Sequence, residues 1–172
     1  MSTLKDHIAK ASERYSGTFK NGGLKSPPSR HFIFVTCMDA RIDTHAAFGI
    51  GPGEAHVIRN AGGSAADALR SIVISQQLLG TREVAIIKHT KCGMDGLPNE
   101  MVHATVLKNL GIEAIGELKT RNMIDFLPVG GGITHGVKED VKLLKTSSLV
   151  PRDIEITGWI YDVDSGATTR VC

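Results

Sequence analysis

Three short apolar runs, at 32–36, 55–59 and 83–88, are separated by stretches with room for helices, and this alternation restricts the chain to a sheet built from crossovers. Between the first two runs, a short helix near 43–48 is stopped by Gly49-Ile50-Gly51-Pro52-Gly53. Between the second and third, Ser64-Ala65-Ala66-Asp67 has the S-x-x-D form of a helix start. Leu69, Ile72, Val73, Gln76 and Leu79 then keep a 3.6-residue period until Gly80 ends it. Further helical patches fall around 99–109 and 135–146. The chain closes with a strand from Asp153 to Tyr161, a turn at Asp164-Ser165-Gly166 and a short strand from Thr168 to Val171. The expected fold is α/β, with a mainly parallel sheet of about four strands flanked by helices and a C-terminal edge hairpin.

Two of these runs lead straight into residues that can ligate a metal. Cys37-Met38-Asp39-Ala40-Arg41 comes directly after the first, and His89-Thr90-Lys91-Cys92 directly after the third. Parallel α/β sheets bind ligands at the carboxyl ends of their strands, so neighbouring strands there can aim Cys37, His89 and Cys92 at one point. Two thiolates and a neutral imidazole suit Zn²⁺ and leave a fourth tetrahedral position for water or a nearby carboxylate. The bland alternative is two buried free cysteines and a core histidine, or a purely structural zinc.

Residues 3–16 carry Leu4, Ile8 and Ala11 at helical spacing, a thin stripe that suits a helix reaching to a partner as well as one lying on its own sheet. The Gly22-Gly23-Leu24-Lys25-Ser26-Pro27-Pro28 stretch reads as a joint between that helix and the first strand. A single domain over 1–172 is therefore expected, with 1–24 as an N-terminal helical arm. The net charge of +2 and dispersed Lys and Arg leave no electrostatic footprint for nucleic acid. No apolar run approaches the ~20 residues of a membrane span, and three cysteines are too few and too odd for a disulfide scaffold. A reducing, cytoplasmic setting is expected. Gly130 to Gly136 lacks the Lys-Ser/Thr of a phosphate loop and reads as a turn before a helix.

Taken together, Cys37/Asp39/Arg41, Pro52-Gly53-Glu54 with Arg59-Asn60, and His89-Thr90-Lys91-Cys92-Gly93 resemble the β-class carbonic anhydrase family. The likeness runs over roughly 30–95 and again over 134–171. It implies that Cys37, His89 and Cys92 bind Zn²⁺, that Asp39 and Arg41 form a dyad beside it, and that a zinc-bound hydroxide is the nucleophile. It also implies that Asp39, released from Arg41, is a possible fourth ligand in a closed state.

Where better-known members of the family have a Gln before the first strand and a Tyr before the third, this chain has Lys25-Ser26-Pro27-Pro28 and Ile74. Ala61, Ile74 and Gly93 are thus the expected lining of an apolar substrate pocket. Phe34 stands where some bacterial members have a Trp that helps form an inhibitory bicarbonate site, so that site is not expected here.

The resemblance implies an enzyme acting on a small linear molecule, with reversible hydration of CO₂ as the leading expectation. Hydrolysis of carbonyl sulfide to H₂S and CO₂ is the alternative, and a non-enzymatic zinc protein with Asp39 closing the site the minor one. A homodimer or higher homo-oligomer is expected, because the family's cleft is closed by the neighbouring subunit and the sheet has an open edge.

Overall fold

The computed structural model describes residues 3–172, so the first two residues of the expected arm lie outside it. The elements are α1 (Leu4–Thr18), β1 (Phe32–Cys37), α2 (Thr44–Phe48), β2 (Ala55–Asn60), a tight turn at Ala61–Gly63, α3 (Ala65–Leu79), β3 (Glu83–His89), α4 (Asn99–Leu110), α5 (Ile112–Thr120), α6 (Ile133–Thr146), β4 (Glu155–Tyr161) and β5 (Thr168–Arg170). The strands form one five-stranded sheet in the order β2-β1-β3-β4-β5, parallel except for β5, which returns antiparallel on β4.

That order places a topological switch between β1 and β3, because the chain leaves β1 towards β2 and leaves β3 towards β4 on the other side. A crevice opens at the carboxyl ends of two such strands. Right-handed crossovers running in opposite directions also put their helices on opposite faces. Accordingly α3 and α6 pack together on one face, over β1 to β4, while α2 lies on the other, where Phe48 stacks on Phe34 with ring centroids 5.6 Å apart.

The α3/α6 face is a closed core. Ile33, Val35, Val84, Ile86 and Ile156 of the sheet meet Ala68, Ile72, Val141 and Leu144 of the helices, and all are buried. Burying each larger aliphatic side chain is worth about 1.5–3 kcal/mol before entropy is counted. The ends of α3 are set as its sequence dictates: the Ser64 hydroxyl accepts from the Asp67 N–H, and Gly80 turns the chain at φ 71°.

The sequence pattern marks no element over 110–130, yet α5 lies there. Gly111 separates it from α4, and neither helix buries a residue, so their apolar residues trace no core-facing stripe. α1 also buries none of its residues, although Thr3 and Asp6 cap its start reciprocally. Among the described residues no helix is long and apolar enough to cross a membrane.

Candidate metal centre

Cys37 ends β1 and His89 ends β3, while Cys92 sits on the loop after His89. Parallel pairing of β1 and β3, with Thr36 opposite Ile87, brings these strand ends side by side at the switch point. The two sulfur atoms and a ring nitrogen of His89 all lie within 4.8 Å of one another, and all three residues are buried. The loop between the second and third residues of the group turns sharply at Lys91, whose φ is 54°.

The orientation of His89 is fixed by its other nitrogen. Nδ1 is 2.9 Å from the Thr90 carbonyl, which can only accept, so Nδ1 carries the proton and Nε2 keeps a lone pair. Nε2 is buried and has no hydrogen-bond partner. A buried polar atom left in that state is costly unless something binds it. A lone pair converging with two sulfurs is the donor chemistry that zinc favours, so the residues present fit such an ion.

The Cys37 and Cys92 sulfurs lie within 4.8 Å of each other, close enough for the two thiols to influence one another's protons. The neighbouring Cys92 lowers the Cys37 thiol most, against the opposing effect of burial, with help from His89 and then from the backbone at Asp39 and Gly62. The Cys92 thiol is correspondingly pushed up by Cys37 and by burial. One thiol thus loses its proton more readily than the other, and a cation bound between them would displace the remaining proton.

Asp39 and Arg41 stand beside this group. Arg41 Nε donates to Asp39 Oδ1 at 2.9 Å and Nη2 to Oδ2 at 2.7 Å, while the Arg41 backbone N–H adds a third bond to Oδ1 at 2.9 Å. These bonds, the guanidinium first, hold the Asp39 carboxyl well below the usual carboxylate range. Arg41 Nη2 also donates to the Lys91 carbonyl at 3.1 Å, tying the dyad to the loop that carries Cys92. Asp39 Oδ2 lies 3.7 Å from His89 Nε2, so the carboxylate faces the point on which the three donors converge.

Arg59 braces the same loop from below. Its guanidinium donates to the carbonyls of Cys37 at 3.0 Å, Ile42 at 3.1 Å and Asp39 at 2.6 Å. Asn60 exchanges bonds with Ser64, at 2.9 and 2.7 Å, and so fixes the turn between β2 and α3.

Ala61 comes after Asn60, which pairs with Cys37 across β1 and β2, and it is exposed at the rim. Gly93 is exposed too, with nothing within 4 Å of where a Cβ would be. Ile74 is not brought to the group within one chain. It is 48% exposed on α3, and at 1.5 Å per residue it stands roughly 14 Å along the helix from Ala65. Lys88 and Asp140, an ion pair at 2.8 Å behind the centre, escape a reading of the sequence. The available signal is a lysine at the end of a run as apolar as Val84-Ala85-Ile86-Ile87.

A family model described as carbonic anhydrase matches residues 32–125. Beta-carbonic anhydrase 1 of Mycobacterium tuberculosis is 34% identical over 172 residues, covering 99% of both chains. The chain belongs to the β-carbonic anhydrase family. A solved carbonic anhydrase from Glaciozyma antarctica superposes with a TM-score of 0.92 at 40% identity over the full length of both chains. The family likeness extends to a carbon disulfide hydrolase of Acidithiobacillus thiooxidans, 31% identical over 96% of this chain and 84% of the hydrolase. The five-stranded, mostly parallel sheet with flanking helices is thus the architecture of the family's solved structures.

Proposed function

We propose that the chain is a zinc-dependent enzyme that reversibly hydrates CO₂ to bicarbonate, with Cys37, His89 and Cys92 holding the ion. The observation that carries this reading is the unpartnered, buried Nε2 of His89, converging with two sulfurs beside a carboxylate already held by Arg41. A zinc ion bound there supplies Lewis acidity and lowers the pKa of a coordinated water towards neutrality.

The chain's own residues supply orientation. Asp39, held ionised by Arg41, accepts a hydrogen bond from the attacking water without taking its proton, which points a lone pair at the substrate carbon. Arg41 keeps both carboxylate oxygens engaged, and this favours an open catalytic site over one closed by Asp39. Ala61 and Gly93 give the rim no polar side chain, which suits a small apolar linear molecule.

A homodimer or larger homo-oligomer in the cytoplasm completes the proposal. The sheet face beyond α2 is lined by Phe32, Phe34, Phe48 and Trp159 around a groove of about 320 Å³. α1 meanwhile exposes Leu4, Ile8 and Tyr15, and its C-cap Phe19 is exposed beside them. Both surfaces are apolar and uncovered within one chain, so an arm reaching onto a second copy buries both, and Ile74, exposed on α3, would line a pocket only across a separate contact with a neighbouring copy.

Hydrolysis of carbonyl sulfide or carbon disulfide is the alternative, favoured by the carbon disulfide hydrolase relative and by the apolar rim. Stopped-flow CO₂ hydration, run beside H₂S release from carbonyl sulfide and carbon disulfide on zinc-replete protein, separates the readings. CO₂ turnover is expected to dominate, and H₂S release outrunning it would replace the first reading with the second. Ile74→Tyr is expected to move the ratio further towards CO₂, and an unchanged ratio removes Ile74 from the pocket.

A further inference from the structure

Among the described residues Lys88 is the only buried lysine. It is the penultimate residue of β3, and strand alternation turns it away from His89 onto the face that carries Val84 and Ile86. There Nζ donates to the carbonyls of Gly62 at 2.9 Å and Gly63 at 3.3 Å, and pairs with Asp140 Oδ2 on α6 at 2.8 Å. Three partners use the three protons of an ammonium. The same Asp140 oxygen accepts the Ala65 N–H at 3.2 Å, in the first turn of α3. α6 comes this close because residue 136 is glycine: a Cβ there would lie 3.2 Å from Lys88 Cε and 2.6 Å from Val129 Cγ1.

What the ammonium grips is the turn that touches a ligand. Gly62 and Gly63 both have left-handed backbone, at φ 71° and 60°. Gly63 packs on the end of β1: a Cβ on it would lie 3.0 Å from the Cys37 backbone nitrogen and 3.0 Å from the Thr36 carbonyl carbon. Two successive glycines are soft unless something outside the turn holds them, and within this fold their carbonyls are held by Lys88.

We propose that Lys88, held in turn by Asp140, is a positioning residue for the metal centre: by fixing the Gly62 and Gly63 carbonyls it holds that turn against the Cys37 backbone, and so sets how Cys37 is aimed and its affinity for the ion. The proposal rests on reading Cys37, His89 and Cys92 as metal ligands. The rival is a scaffold pair, since a buried ion pair can often be replaced by neutral groups without loss of stability.

In Lys88→Met, zinc affinity measured by competition with a chromophoric chelator is expected to fall about 10- to 100-fold, the size usual for outer-shell changes. The thiolate-to-metal charge-transfer band of the Co²⁺-substituted protein is expected to shift with it. Lys88→Met leaves Asp140 without its cation, so Lys88→Met/Asp140→Asn serves as the second variant: the amide can still accept from Ala65 and no charge is stranded. That double variant is expected to recover thermal stability while keeping the weakened affinity and the shifted band. Parent-like affinity with a parent-like band in the double variant overturns the proposal, whether or not the single variant folds. A parent protein that binds no zinc overturns the metal reading and this proposal with it, whereas a zinc-binding parent with an unaffected double variant overturns this proposal alone.

Discussion

On the face beneath α3 and α6, Ile33, Val35, Ile86 and Ile156 are sealed by Ala68, Ile72, Val141 and Leu144, whereas on the opposite face Phe34, Ala85 and Trp159 meet the five-residue α2 and leave a groove. Cys37 and Cys92 belong to the cluster on the second side, with Ile42, Ile87 and Tyr161. Lys88 and His89, adjacent on β3, divide between the two: the lysine reaches into the closed side, the histidine towards the sulfurs. The chain thus finishes by itself the face that gives rigidity, and sets the chemistry beside the face that it leaves open.

The largest expected effect breaks the donor set itself. Cys37→Ser, His89→Ala and Cys92→Ser should each abolish stoichiometric zinc by elemental analysis, with a loss of activity beyond the roughly 10–100-fold typical of outer-shell changes. Full zinc occupancy in Cys92→Ser sinks the ligand assignment. Next, Asp39→Ala and Arg41→Ala should retain zinc but lose turnover by about 100-fold, because a nucleophile misplaced by an ångström costs that much. Unchanged turnover in both removes the dyad from the mechanism.

The contrast between the faces sharpens with stability. Ile72→Ala in the closed core should cost about 3 kcal/mol, with a loss that does not depend on protein concentration. Removing α1, which buries nothing within its own chain, should instead convert the proposed homo-oligomer to monomer in sedimentation and abolish the concentration dependence of Tm. An arm-less protein that still sediments as the parent does would put the covering of the open face elsewhere.

The smallest effect is acid sensitivity. Asp39 is held low by Arg41, Glu54 by the Gly51 N–H and then Arg30, Asp125 by Asn99 and the Leu127 N–H, and Asp162 by the N–H groups of Ser165 and Asp164. Folded pKa values below the unfolded ones mean that these contributions are complete above the unfolded values, near 4, and vanish as pH falls through the folded ones. Thermal melts should therefore be level for these groups from about pH 6 to 8 and decline below about pH 4. A Tm unchanged down to pH 3 contradicts this.

How much was legible beforehand depends on range along the chain. The strands at 32–37, 55–60 and 83–89 and the caps of α3 are written in consecutive residues, and the ligand motifs stand at strand ends, where topology brings them together. α5 was missed because Leu110 and Ile112, flanking Gly111, face outward, so the periodicity there reports no buried side. The role of Lys88 could not be read locally, since its partner Asp140 arrives only when α6 packs on β3. Family likeness points to Ile74 for the pocket, and one chain leaves it exposed on α3. Which face of a sheet stays open is likewise a property of packing, invisible to the alternation of apolar residues in any single strand.

The strand order also governs when the centre comes into being. β1 and β3 touch only after the chain has run out to the edge at β2 and returned through α3. A growing or refolding chain therefore offers a metal Cys37 alone, or the His89–Cys92 pair, until that long loop has closed. An ion captured there would wait on closure of that loop and would then fasten the crossover between the two central strands. The lifetime of a metal bound there would be tied to how seldom two central strands part, a kinetic safeguard that a site built on one surface loop does not have.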